Sequence, residues 1–125
     1  MSEPQSISTG IAARYATALF ELSKEGDGLP VLEADAEALD AALRESPEFG
    51  SFIASPIYSR AEQENAVGAV ADAMDLKPVV VNTLRLMARK RRLFVLPALV
   101  RELRARIAAE KGEVTAEVAS AAALS

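Results

Sequence analysis

This chain of 125 residues contains no cysteine, no histidine and no tryptophan. The lack of cysteine excludes a disulfide framework and thiolate chemistry. The lack of histidine removes the usual ligand of zinc sites and the most common general base of enzymes. We therefore expect no catalytic residue, no bound metal ion and no cofactor.

Aromatic side chains and long apolar runs are also scarce. Aromatic residues make up 5% of the chain, whereas alanine, leucine, glutamate and arginine are abundant, as is typical of all-helical proteins. No apolar run approaches the ~20 residues that span a bilayer. The N-terminal sequence MSEPQSIST lacks the apolar core of a signal peptide. We expect a soluble, cytosolic bacterial protein with no direct membrane insertion, and the length suits one all-α domain with its own core.

The charge of the chain is unevenly distributed. The formal net charge is −4, which argues against extensive nucleic-acid binding. Most of the cations nevertheless lie between Lys77 and Lys111, whereas the segment from Glu3 to Asp75 is acidic. A partner could explain this asymmetry, and so could helix dipoles and surface ion pairs.

Apolar residues recur at helical spacing in six segments, and capping residues separate them. Ser46-Pro47-Glu48 and the capping box that begins at Ser59 are the strongest start signals. Pro97 either shifts the start of the last helix or kinks it. The predicted helices are Ser8–Glu25 (ending at Gly26), Pro30–Glu45, a short helix between Ser46 and Ser55, Ser59–Met74, a helix from Pro78, and Leu93–Lys111 (closed by Gly112).

The faces of the second and fourth helices follow from the same spacing. In the second helix we expect one buried apolar row and one solvated row of carboxylates. These carboxylates do not converge on one point, as a metal or catalytic site requires. In the fourth helix we expect apolar side chains to point inward. The buried sets are Leu32, Ala36, Leu39 and Leu43, then Ala66, Val67, Val70 and Met74; the solvated set is Glu33, Asp35, Glu37 and Asp40.

The first helix carries two apolar stripes, which is more than one core contact requires. Either both stripes pack in the core, which is the commoner arrangement, or one stripe is left for a partner. The stripes are Ile11, Tyr15, Ala18 and Leu22, and beside them Ala12, Ala16, Leu19 and Phe20.

The stretch Leu76–Leu96 combines a wide apolar face with a cationic end. Val80, Leu84 and Met87 belong to a stripe broad enough for more than one neighbouring helix. Arg89-Lys90-Arg91-Arg92 follows, and four adjacent cations cannot be buried together. We therefore expect this helix to be core at its start and solvated at its end.

The last thirteen residues change their pattern. Val114, Ala116 and Val118 alternate with other residues, which predicts a strand, although a frayed or helical tail is the alternative. We expect residues 1–112 to form the first domain and residues 113–125 to begin a truncated second domain.

Four segments together resemble the N-terminal domain of the ATP synthase delta subunit family, whose mitochondrial members are called the oligomycin-sensitivity-conferring protein. Each segment alone is weakly specific for the family, but the order and spacing of the four together are fairly specific. They are Arg14-Tyr15-Ala16 with Ala18-Leu19-Phe20, Ser46-Pro47-Glu48-Phe49 with Ser55-Pro56, Asn82-Thr83-Leu84 leading to Arg91-Arg92-Leu93, and the ending from Thr115-Ala116-Glu117-Val118 to Ser120-Ala121-Ala122-Ala123-Leu124-Ser125.

The resemblance implies a six-helix bundle and a stator subunit without catalytic activity. It implies that the domain binds the N-terminal helix of an alpha subunit in a groove between helices one and five. Peripheral-stalk b subunits would bind the family's C-terminal domain, and the complex would place the subunit at the cytoplasmic face of the bacterial inner membrane. By position, the groove residues are Tyr15, Ala18, Leu22, Asn82, Thr83, Leu86 and Lys90.

Two other functions compete with this one. A small helical nucleic-acid-binding domain would use the run Arg89–Arg92 against phosphates, but the net charge and the lack of a helix-turn-helix pattern disfavour it. A helical enzyme that uses only aspartate and glutamate is disfavoured because no glycine-rich phosphate loop and no convergent acids are present.

Overall fold

A computed structural model describes residues 3–24 and 28–124, with side chains described from Ile7 to Lys24 and from Gly28 to Gly112. Within this part of the chain, the structure is all-α and contains no strand. A single-turn 3-10 helix, Leu93–Val95, precedes the last of six α-helices. The helices are α1 Glu3–Ser23, α2 Gly28–Glu45, α3 Pro47–Ala54, α4 Arg60–Ala73, α5 Pro78–Arg89 and α6 Leu96–Leu124.

Helix starts follow the capping residues. The Ser46 hydroxyl accepts the Phe49 amide and precedes a proline in the first turn of α3. At α4 both halves of the capping box are formed, since the Ser59 amide donates to Glu62 at 2.8 Å and the Glu62 amide donates to the Ser59 hydroxyl at 3.1 Å. Such caps satisfy amides that the first helical turn leaves without intrahelical acceptors.

Two helices end in a Schellman motif without glycine. In α4, Asp75 adopts a φ of 60°, and in α5 Arg91 adopts a φ of 59°. The amide of Leu76 then donates to the Ala71 carbonyl, and the amide of Arg92 donates to the Met87 carbonyl. The motif satisfies terminal carbonyls, but it places a side chain in the left-handed region that glycine occupies most easily.

A single apolar cluster joins all six helices. Helix α1 packs on α2, α5 and α6, while α4 packs mainly on α5. In α6 the apolar residues that recur at helical spacing are all buried, namely Leu96, Leu99, Val100, Leu103 and Ile107. Helix α5 buries residues against more than one neighbour, as its wide apolar face predicted.

Several predicted boundaries and faces differ from the structure. Helix α1 begins earlier than predicted, at Glu3, and ends at Ser23; the predicted stop at Gly26 lies outside the described residues. Pro97 shifts the start of the last helix to Leu96, after the 3-10 turn. In α4 the prediction for Val70 was wrong, because this side chain is exposed and Gln63 is buried instead.

The predicted strand at the C-terminal end is wrong. Helix α6 continues through Gly112 and includes residues 113–124, so glycine does not close it. A lone strand would leave its backbone groups unpaired, whereas a helix pairs them within its own segment. Alanine, which is frequent in this segment, also has the highest helix propensity of all residues. The helical alternative for the tail is therefore the observed one, and the division at residue 112 is not a helix boundary.

Candidate functional site

The two apolar stripes of α1 have different environments. Ala12, Ala16, Leu19 and Phe20 are buried in the core. In the other stripe, Ile11 and Tyr15 are half-buried, whereas Ala18 is exposed and Leu22 is 66% exposed. The arrangement in which both stripes are core is therefore wrong for the second half of α1. This helix leaves an apolar row uncovered.

On α5, the four predicted groove residues lie along one flank of the helix. Asn82 and Lys90 are exposed, and Thr83 and Leu86 are half-buried. The Thr83 hydroxyl donates to the Val79 carbonyl at 2.8 Å, so its hydrogen-bonding capacity is used within the helix. These four residues therefore form a row that is polar at its ends and partly apolar between them.

Thr83 and Leu86 of the α5 row lie on a different flank of the helix from the residues that contact α4. Arg85 and Arg89 define the α4 side, because the Arg85 guanidinium lies against Gly68 and Arg89 Nε donates to Glu64 at 3.1 Å. At 3.6 residues per turn, Thr83 and Leu86 project to the other flank. Thr83 also borders a small interior cavity of about 10 Å³ that Leu19 of α1 lines.

Helices α1 and α5 are direct neighbours in the bundle. The structure thus places the two predicted rows on adjacent helices, and the α1 row keeps the exposed small and apolar side chains of Ala18 and Leu22. An apolar row beside a second helix is the kind of surface on which an amphipathic helix can lie. Binding a helix in this way requires no catalytic side chain.

Asp35 is a residue that the sequence interpretation placed wrongly. It was assigned to the solvated face of α2, but it is only 7% exposed. Its carboxylate accepts a hydrogen bond from the backbone amide of Lys77 at 2.9 Å. Lys77 is the N-cap residue of α5, and its own side chain makes no capping hydrogen bond. Burial raises the pKa of this carboxyl, while the Lys77 amide and charge oppose that rise. Asp35 therefore links α2 to the start of α5.

A signal for the position of Asp35 is present in the sequence. Leu32 lies three residues before it and Leu39 lies four residues after it, so all three share one helix face. In addition, Lys77 cannot cap the amides of the first turn of α5, and such amides require an external acceptor when buried.

The basic run after α5 is partly used inside the protein. Arg89 pairs with Glu64, and Arg91 Nη1 donates to the Tyr58 carbonyl at 2.6 Å. Arg92 is half-buried, and Lys90 is exposed. The four cations therefore do not form one continuous row for phosphates.

Metal-binding clusters and membrane-spanning helices are both absent from the residues that the structure describes. No group of three or more potential metal-ligating side chains converges on one point there. No helix in the same part of the chain is both long and apolar enough to cross a membrane.

Comparison with known proteins gives one consistent family. The family model described as ATP synthase delta (OSCP) subunit matches residues 11–125. A protein named ATP synthase subunit delta from a Jannaschia species is 68% identical over 124 residues, which cover 99% of this chain and 67% of the relative. Proteins of the same name from Dinoroseobacter shibae and Cereibacter sphaeroides are 61% and 58% identical over 125 residues, again covering 67% of each relative.

Proposed function

This chain belongs to the ATP synthase delta (OSCP) subunit family, and from that premise we propose that it binds the N-terminal helix of an alpha subunit. The proposed site is the groove between α1 and α5. Its walls are formed by Tyr15, Ala18 and Leu22 on α1 and by Asn82, Thr83, Leu86 and Lys90 on α5.

One observation supports this proposal most strongly, namely the uncovered apolar row of α1. A helix of a bundle normally buries its apolar surface, and water contact with that surface costs about 25 cal/mol for each Å². Leu22 is 66% exposed, although apolar side chains one turn away are in the core. A partner that covers this row would recover the free energy that the isolated domain forgoes.

The side chains of the row suit a helical ligand. Ala18 is small, so a peptide backbone can approach α1 closely at that point. Tyr15 combines an apolar ring with a polar tip, as is suitable for the rim of an interface. Lys90 is exposed at one end of the α5 row, where its flexible cation can meet a carboxylate of the ligand. The ligand would thus place an apolar stripe in the groove and a polar face in solvent.

The function that follows is mechanical and not catalytic. The domain would hold the catalytic head, while the remaining third of a full-length relative would hold the b subunits of the peripheral stalk. The subunit would then prevent the head from turning with the rotor. Its place would be the cytoplasmic face of the bacterial membrane, bound through the complex and without insertion of its own.

The proposal is tested by titrating the chain with a synthetic peptide of the alpha subunit's N-terminal segment. Calorimetry gives the affinity, and backbone NMR shifts locate the site. We expect saturable one-to-one binding, with shifts concentrated at Tyr15–Leu22 and Asn82–Lys90. Shifts elsewhere, or no binding at high peptide concentration, would contradict the groove assignment.

A pair of neighbouring substitutions gives a matched control. Thr17 and Ala18 are both exposed on α1, but only Ala18 belongs to the uncovered row. Ala18→Asp places a charge in the groove, and we expect it to weaken peptide binding by at least about tenfold, since a desolvated unpaired charge costs more than about 1.4 kcal/mol. Thr17→Asp should bind like the parent chain, and circular dichroism should show the same helicity for both variants.

A further inference from the structure

We propose that this chain has a second docking surface, separate from the groove, at the end of the bundle where two connections meet. One connection is residues 55–59, between α3 and α4; the other is residues 91–94, which follow α5 and lead into α6. We name this region the tip surface. Its occupant is a segment of another subunit of the complex that carries carboxylates beside an apolar side chain.

The apolar part of the tip surface is unusually exposed. Ile57 is 81% exposed, Phe94 is 52% exposed and Tyr58 is 37% exposed. The Tyr58 ring is in contact with the ring of Phe52, whose centroid lies 5.2 Å away, so its position is fixed by packing. Isolated exposed apolar residues need no explanation, but three of them lie on two connections that touch each other, and clustered exposed apolar residues mark interaction sites.

A depression of about 350 Å³ lies between the two connections, and Phe94 is the one of these three residues that lines it. Ile53, Pro56, Leu93 and Phe94 supply most of its apolar lining, and Gln63 and Arg91 supply polar groups. A second depression, lined by Phe52, Tyr58 and Glu48 among others, shares Ser55 with the first; because Glu48 is acidic, an acidic partner suits only the first depression. Such concavities accept protruding side chains, as in the anchor pockets of protein interfaces.

The charge of the tip surface complements a carboxylate. Arg91 is exposed at the depression, and Arg92, the next residue, is half-buried. Arg91 itself lines the depression. The chain as a whole has a net charge of −4, so this end is a local positive region on an acidic molecule. Complementary charge at an interface directs the encounter and selects the partner.

Arg91 also shows that the two connections are held in a fixed relation. Its backbone lies in the left-handed region, with a φ of 59°. Glycine would adopt this conformation without strain. The arginine side chain instead crosses to the other connection and donates to the Tyr58 carbonyl at 2.6 Å. The depression is therefore shaped before any partner arrives, which lowers the entropic cost of binding.

A protein segment fits these features better than a lipid surface or a nucleic acid. A flat anionic membrane would leave the depression empty. A nucleic acid would require a continuous row of free cations, whereas Arg89 is paired with Glu64 and Arg91 is bound to Tyr58. A single carboxylate can use the Arg91 N–H groups that the bond to Tyr58 leaves over, and a leucine-like side chain beside it can fill the depression.

The first test places a photo-crosslinking residue in the intact complex. Phe94 is replaced by p-benzoylphenylalanine, and in a control complex Val70 of α4, which is 38% exposed, is replaced in the same way. We expect Phe94 to crosslink to an acidic segment of another subunit and Val70 not to do so. No crosslink at Phe94, a crosslink to lipid, or a crosslink to a second copy of this chain would each overturn the proposal.

The second test measures affinity with the complex from which this subunit has been washed off. Ile57→Glu and Phe94→Glu each oppose an acidic partner, and we expect each to weaken rebinding of the full-length subunit by at least about tenfold. Val70→Glu should rebind normally. Unchanged rebinding of both tip variants would overturn the proposal.

Peptide binding separates this proposal from the groove. Ile57→Glu and Phe94→Glu should bind the alpha-subunit peptide like the parent chain, because the groove is intact. If the peptide bound neither the parent chain nor the two variants, the groove assignment would fail and the tip proposal would be unaffected. If both tip variants lost peptide binding while they kept their helicity, the two surfaces would not be separate, and the tip proposal would be wrong.

Discussion

At the scale of single residues, Asp35 shows how one buried carboxylate connects distant parts of the chain. It accepts the amide of Lys77, 42 positions later, and so fixes the start of α5 against α2. Burial raises the pKa of this carboxyl above its ordinary value of 3.8. The group therefore supplies a structural hydrogen bond and a desolvated charge at the same time.

Two substitutions separate these contributions. Asp35→Asn keeps an oxygen acceptor for the Lys77 amide and removes the charge, whereas Asp35→Ala leaves that amide without an acceptor. We expect Asp35→Ala to lower the free energy of unfolding by about 1–3 kcal/mol. Asp35→Asn should be considerably less destabilising at neutral pH. Urea unfolding monitored by circular dichroism measures both changes, and equal losses would contradict the assigned hydrogen bond.

The raised pKa of Asp35 also predicts a pH dependence. A carboxyl whose pKa is higher in the folded state than in the unfolded state stabilises the fold fully below its unfolded pKa, and this contribution is lost as pH rises through its folded pKa. We therefore expect the stability of the parent chain, measured relative to Asp35→Asn, to fall as the pH rises from about 3 to 7. A relative stability that rises over this range would refute the pKa direction.

Asp75 and Arg91 occupy equivalent left-handed positions, but only one of them makes a tertiary hydrogen bond. Glycine at either position would relieve backbone strain of about 1 kcal/mol. Arg91→Gly would in addition remove the bond to the Tyr58 carbonyl, which contributes about 0.5–1.5 kcal/mol. We expect Asp75→Gly to have the higher melting temperature of the two variants. The reverse order would show that the Arg91 side chain contributes no stability.

At the scale of helices, the course of α6 through Gly112 is directly testable. Gly112 is exposed, and a methyl group added there would meet no neighbouring atom. Because the residue lies inside a helix, Gly112→Ala should stabilise the protein by about 0.5–1 kcal/mol. If Gly112 instead terminated the helix in a left-handed conformation, the same change would be destabilising. Thermal unfolding distinguishes the two outcomes.

Gly28→Ala is the matched control for this prediction. Gly28 also lies in a helix, at the start of α2, but a methyl group there would collide with the backbone carbonyl of Ser23. Backbone atoms cannot move aside as a flexible side chain can. We therefore expect Gly28→Ala to be destabilising, in contrast to Gly112→Ala.

The helices and their caps could be predicted from sequence because the relevant interactions are local. A serine followed three residues later by glutamate specifies the start of α4, and a proline specifies the first turn of α5. The tail was mispredicted for the opposite reason. Its alternation of valine and alanine suits a strand, but a strand depends on partners that a local pattern does not reveal.

The candidate site was only partly predictable. Helical spacing shows that Ala18 and Leu22 share a stripe with Tyr15, but it cannot show which stripe remains uncovered. That outcome depends on where α2, α5 and α6 pack. Similarly, the spacing alone placed Val70 of α4 inward, although the neighbouring helices leave it 38% exposed.

At the scale of the whole molecule, the acidic and basic halves of the sequence meet across the bundle. Lys111 of α6 pairs with Glu33 of α2 at 2.9 Å, and Arg104 pairs with Asp40 at 3.2 Å. Asp40 also accepts Arg44 within α2. Internal ion pairs thus account for part of the charge asymmetry.

The two proposed surfaces should respond differently to salt. Contacts in the groove are apolar apart from the one that Lys90 can make, so the affinity of the alpha-subunit peptide should fall only slightly between about 0.05 and 0.5 M sodium chloride. Binding at the tip surface depends on cations. Added salt screens exposed charges increasingly over this range, because the Debye length falls from more than about 10 Å to less than about 8 Å.

We therefore expect rebinding of the full-length subunit to the washed complex to weaken as salt increases. In Ile57→Glu and Phe94→Glu, the remaining affinity should depend less on salt than that of the parent subunit, because the cations at the tip surface no longer contribute to it. In Ala18→Asp, the remaining affinity should keep the salt dependence of the parent subunit. The same salt dependence in all three variants would mean that the cations near Arg91 meet no partner, and that the positive charge there serves only the fold.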